Sequence, residues 1–161
     1  MQRSNNLRCI HRQCASRYIG RCKLVGGSRD QLLKVFQTRV RSTLEFAAPV
    51  FRGALTQEQG RQLEMVQKKA FAVILGTAYV SYESALLVLE QERLDVRHLD
   101  LSFKFASKSP RHSSMFPPNP NCRPNMRQPK PYMEHLCHTS RYFHSPIPFL
   151  ARLLNKRSKN I

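Results

Sequence analysis

Residues 28–108 read as mostly α: a small helical hairpin or bundle with disordered basic flanks. Three observations predict this. First, formal charge is near balance only there, with twelve Lys or Arg against nine acids. Residues 1–27 hold six basic residues and no acid, and residues 109–161 hold nine against Glu134, within a chain of net charge +17. Second, nine of the ten prolines lie at or after Pro110, leaving Pro49 alone in the balanced region. Proline lacks a backbone donor and fixes φ, which excludes long helices and central strands from the last third. Third, apolar residues in the balanced region recur at helical spacing after capping signals.

The first helix opens at Ser28, with Gln31 at capping-box spacing. Leu32, Phe36, Val40 and Leu44 recur at i+4, and Leu33 and Val35 widen the stripe. Pro49 is expected to end or kink this helix near Ala47. Thr56, with Gln59 three residues on, opens the second helix. Leu63, Val66, Ala70, Val73 and Ile74 form its stripe. Glu64 and Lys68 stand as an i,i+4 pair, and Gly76 sits where a left-handed cap is expected. The short connection around "PVFRGAL" favours antiparallel neighbours, hence a hairpin with facing stripes. A third helix is expected over residues 81–91. Residues 93–107 suit a helix through Leu94, Leu101 and Phe105, yet alternate like a strand through Leu99, Leu101, Phe103 and Phe105. Helix is preferred because a lone strand has no partner. Residues 109–161 form a Pro-rich basic tail, with one short helix expected through Leu150, Leu153 and Leu154. Residues 1–27 form a basic, weakly ordered leader.

No run approaches the ~20 apolar residues of a membrane-spanning helix. The leader has no apolar stretch of secretory type. An intracellular location and reduced thiols are expected, and five cysteines are an odd number for a closed disulfide set. The leader's Arg-rich, acid-free composition also matches a mitochondrial transit segment, but its apolar residues are too sparse for an amphipathic face.

Chemistry-bearing patterns are few. Cys9, His11, Cys14 and Cys22, or Cys122, His135, Cys137 and His138, lack the paired short spacings of a zinc site. His98 and Asp100 resemble half of an iron-binding triad, but that triad needs a barrel. They are expected to be two solvated residues. There is no nucleophile elbow, no phosphate loop and no Asp-x-Asp. No catalytic residue, cofactor or metal site is expected.

What remains is positive charge. Arg41, Arg52, Arg61, Lys68 and Lys69 are expected to line one polar side of the hairpin. Tyr132, Arg141, Tyr142 and Phe143 alternate bases with aromatics in the tail. Cations add salt-sensitive, sequence-independent attraction to phosphate, and aromatics stack bases. The expected partner is therefore the backbone of RNA or DNA, with Arg141 and Tyr142 as tail contacts and no membrane.

"QLLKVFQTRVRSTLEFAAPVF", "LTQEQGRQLEMVQKKAFAVILG" and "SYESALLVL", followed by "RLDVRHLDLSFKFASK", "FPPNPN" and "SPIPFLARLLN", resemble a polymerase extension. They are similar to the region after the polymerase core in non-LTR retrotransposon reverse transcriptases of the jockey and CR1-like kind, over about residues 28–155. The resemblance implies a helical C-terminal extension of an RNA-directed DNA polymerase. The family's catalytic aspartates lie upstream of everything matched, so the implied role is non-catalytic, in a truncated copy. Phe51 stands where the family carries Trp, and Phe36 and Phe46 where it carries Tyr. The implied partner is the polymerase core of a full-length element. The first of these blocks also resembles one at the start of AlkB-like tRNA-modifying proteins, but the barrel of such a dioxygenase is missing. The alternative function is a helical interaction module that self-associates or packs on a larger partner.

Overall fold

Ser28 starts its helix in the way its spacing with Gln31 predicts. The Ser28 hydroxyl accepts from Gln31 N–H, and the Gln31 side chain accepts from Ser28 N–H at 3.0 Å. The computed structural model describes residues 17–108, 112–123 and 130–157, and within them the fold is mostly α. Residues 1–16, with Cys9, His11 and Cys14, lie outside the described residues. The chain divides into two compact units, Met1–Phe46 with Gln57–Asp95, and Ala47–Thr56 with Val96–Ile161. This division differs from the 28–108 span marked by charge and proline.

The first unit begins with helix α1 at residues 17–24, where Ile19 is fully buried. The helical part of the chain therefore starts ahead of Ser28. Helix α2 (Arg29–Val35) runs through a π-helical segment, Phe36–Arg41, into α3 (Ser42–Glu45). The reason lies in the stripe. Four residues of α-helix turn about 40° past a full turn, so a strict i+4 repeat drifts off its face. A wider π turn removes the drift, and Phe36 and Val40 both stay buried. Local hydroxyls follow the disrupted ladder: Thr38 donates to Lys34 O at 2.8 Å, Ser42 to Thr38 O at 2.6 Å, and Thr43 to Arg39 O at 2.8 Å.

The run stops where Pro49 requires. Ala47 adopts a left-handed φ of 55°, and helix α4 (Ala48–Phe51) carries Pro49 in its first turn. Helix α5 (Gln57–Leu75) begins directly after Thr56 and ends at Gly76, which takes the expected left-handed φ of 58°. Lys23 Nζ donates to Val73 O at 2.6 Å, placing a cation at the negative end of α5. The two stripes meet as the hairpin requires. Phe36 lies edge-on to Phe71 at 5.1 Å, and Phe71 stacks on Tyr82 of α6 (Tyr82–Val88) at 6.2 Å. Leu32, Val40, Val66, Ala70, Ile74 and Leu89 complete this core.

Helix α7 (Leu94–Lys108) settles the ambiguous segment as helix. Its buried face, however, is Leu94, His98, Ser102 and Ala106, each at most 2 % exposed. That face is an i+4 repeat half made of polar residues, which hydrophobic periodicity does not register. Phe105, expected on the buried side, is exposed. His98 is not solvated: its ring packs edge-on to Phe51 at 5.4 Å. Ser102 Oγ is satisfied by His98 O at 2.7 Å.

The second unit contains α4, a 3-10 turn (Arg52–Ala54), α7 from Val96 onward, and three further helices. These are α8 (His112–Met115), α9 (Ser140–Phe143) and α10 (Pro146–Arg157). The helix expected through Leu150, Leu153 and Leu154 is therefore present. Proline at its first position costs no hydrogen bond. Leu150, Ala151 and Leu154 pack with Phe116 and Ala106 in a separate small core. Gly53 is needed at a close approach: a Cβ there would lie 2.7 Å from Phe149 Cγ and 2.9 Å from His144 O. Residues 130–134 are pinned by the buried Asn155. Its Oδ1 accepts from Tyr132 N–H at 2.9 Å, and its Nδ2 donates to Tyr132 O at 3.0 Å and Glu134 Oε1 at 3.2 Å. The same strip forms an isolated antiparallel bridge, Pro118 to Tyr132.

Candidate nucleic-acid interface

The basic residues singled out from the sequence fall into different settings. Arg41 is turned inward in the first unit. Its Nε pairs with Glu45 at 2.7 Å, its Nη1 donates to Gln91 Oε1 at 2.6 Å, and its side chain is only 13 % exposed. An arginine so engaged does not offer itself to phosphate. Arg61, Lys68 and Lys69 are exposed on α5, where helical spacing puts them on one face with the exposed Met65. Arg52 belongs to the second unit, is half-buried, and its Nε lacks a hydrogen-bond partner. The five hairpin cations thus do not form one set. Glu64 does not act as the simple helix-surface partner of Lys68. It accepts from Tyr82 Oη and from Leu94 N–H at 3.3 Å. The buried Gln67 adds bonds to Tyr82 Oη at 3.2 Å and Glu92 O at 2.8 Å. Burial, and then the Glu64 bond, push the Tyr82 phenol far above its usual value.

The tail residues split as well. Tyr132 is half-buried, its backbone held by Asn155. Arg141 and Tyr142 are exposed on α9. Here the second unit builds a patch that the sequence showed only in part. Arg152 of α10 places its guanidinium carbon 3.6 Å from the Phe143 ring centroid. Its Nη2 donates to Phe143 O at 2.6 Å, which fixes the stack. His144 turns its ring edge-on to Phe143 at 5.1 Å and holds Gly53 O through Nδ1 at 3.0 Å. Lys156 lies one helical turn beyond Arg152 and is exposed. Glu134 is the acid near this group. Partial burial raises its carboxyl, but the bonds from Lys130 and Asn155 and the charges of Lys130 and Arg152 outweigh that and hold it below the usual carboxylate range.

Charge is segregated by unit. The second unit carries thirteen Lys or Arg against Asp100 and Glu134, a net of +11, and the first carries fourteen against eight acids, a net of +6. Sequence reasoning overlooked Arg152 and His144. Arg152 reaches Phe143 only once the turn between α9 and α10 folds the chain back, and His144 meets Gly53, 91 positions away, only in the folded unit; the signal was Ser145-Pro146, a helix start close behind an aromatic pair.

Among the described residues, no group of three or more His, Cys, Asp or Glu converges as metal ligands, and Cys22, Cys122 and Cys137 are free thiols. No single helix among them is long and apolar enough to cross a membrane. Comparison with family models, curated proteins and solved structures finds no match.

Proposed function

We propose that the protein is a non-catalytic, helical nucleic-acid-binding chain whose second unit carries the phosphate contacts. The observation that supports this reading is the segregation of charge. A net of +11 falls on the unit that also exposes Arg141, Tyr142, Phe143 and Lys156. In the first unit, Arg41 is turned inward to Glu45 and Gln91, and Arg61, Lys68 and Lys69 form a smaller exposed stripe on α5. The sequence resemblance to the post-polymerase region of non-LTR reverse transcriptases supports the same partner class, as the extension of a polymerase acting on RNA.

The test is fluorescence anisotropy of a labelled 20-nucleotide strand titrated with the full chain across salt concentrations. Three contacts from Arg141, Arg152 and Lys156 give a log–log salt slope of about −2 on a single strand. Binding that is absent at low salt, or insensitive to salt, overturns the reading. Primer extension by the purified chain would overturn the non-catalytic part. A palm-coding frame immediately upstream in the same orientation would support the kinship.

A further inference from the structure

We propose that the α9–α10 patch selects unpaired strands, with Tyr142 as the face on which a base stacks. This rests on the nucleic-acid reading above and narrows its ligand to single-stranded RNA or DNA. Tyr142 N–H is held by Thr139 Oγ1 at 3.2 Å, and Tyr142 O accepts from Ser145 Oγ at 2.7 Å and Ser145 N–H at 3.0 Å. Its backbone is fully engaged, yet the residue is 44 % exposed. An exposed aromatic on a fixed backbone contributes contact area at little entropic cost on binding.

The neighbouring ring is arranged differently. One face of the Phe143 ring is already taken by the Arg152 guanidinium at 3.6 Å, although the residue is as exposed as Tyr142. Stacked and bonded to Phe143 O, that guanidinium is a second flat, charged group, held at the residue that follows Tyr142 in α9. Arg141 and Lys156 add exposed cations on the same two helices. Flat surfaces interleaved with cations are what a splayed single strand meets with its bases and phosphates. A duplex keeps its bases inside the stack and presents phosphate alone.

Charge and stacking predict opposite preferences. A purely electrostatic surface favours the duplex, whose phosphate density and salt slope per contact are higher. A stacking surface favours the single strand. The experiment compares one 20-nucleotide strand with its own duplex at equal salt, on the full chain. The expected result is tighter binding of the single strand. Tyr142→Ala weakens the single strand by about 5- to 160-fold and leaves the duplex unchanged, and Tyr142→Phe retains the wild-type preference. Arg141→Ala weakens both and flattens the salt dependence. Equal or tighter duplex binding by the wild-type chain overturns the inference without needing any variant, and leaves general phosphate binding standing. An unaltered single-strand affinity in Tyr142→Ala, with an unchanged melting curve, overturns it too. Failure of both the single strand and the duplex to bind removes the proposed function itself.

Discussion

Replacing Asn155 by Ala removes three hydrogen bonds in one step: one from Tyr132 N–H, one to Tyr132 O and one to Glu134. Asn155 is 3 % exposed, so water does not readily take its place. Stripping a buried backbone group of its partner costs about 1–3 kcal/mol. Tyr132 is half-buried, which moves each of its two groups to the lower end of that range. The bond to Glu134 adds little, because that side chain is 33 % exposed. Alanine is the better helix former by roughly 0.7 kcal/mol, which opposes the loss. The expected net loss is about 1.5 kcal/mol, roughly tenfold in the unfolding equilibrium of the second unit. Urea denaturation followed by circular dichroism reads the loss, and hydrogen exchange at the Tyr132 amide locates it. Asn155→Asp is a useful companion. It keeps the acceptor for Tyr132 N–H, loses both donated bonds, and sets a second carboxylate beside Glu134. Its instability should therefore be larger at pH 7 than at pH 4. A stability for Asn155→Ala within 0.5 kcal/mol of wild type, with unchanged exchange at Tyr132, would refute the pinning of this strip.

Tyr82 makes the first unit sensitive to alkali. Its phenol is held above the ordinary value of about 10, so its contribution is complete below pH 10. Above that, only the unfolded chain releases the proton, and stability falls by about 1.4 kcal/mol per pH unit. Tyr82→Phe should be the less stable protein at pH 8 and lose this slope, so the two curves converge toward pH 11; parallel curves would count against the buried bond to Glu64. Gly53→Ala places a methyl within 2.9 Å of Phe149 and His144 O. It should lower stability by about 1–3 kcal/mol, and a wild-type melting temperature would show that α10 does not approach so closely.

Some of this protein is legible in its order of residues. Ser28 with Gln31, Gly76 after α5, Pro49 between the hairpin helices, and the stripes of α2 and α5 are all short-range signals. Capping, left-handed turns and helical periodicity depend on neighbours within a few positions, so a sequence states them directly. The buried face of α7 was hidden for a different reason. Its positions are set by spacing, but two of the four are His98 and Ser102, and burial of a satisfied polar group leaves no mark in hydropathy.

Tertiary structure alone decided the rest. Arg41 and Gln91 are 50 positions apart, and Glu64 and Leu94 are 30 apart. Only folding makes the first an internal pair and the second part of a buried polar network. The cations read as one hairpin face became an inward Arg41, an exposed α5 stripe, and a half-buried Arg52 in another unit. The division into units places Ala47–Thr56 with the C-terminal residues, although the sequence offers that segment only as a connection. Arg152 covers Phe143 because the chain turns at Ser145 and carries α10 back over α9. Charge sums and aromatic spacing belong to the chain as written. Which charge stays free, and which ring stays open, is settled by contacts between segments that the sequence keeps apart.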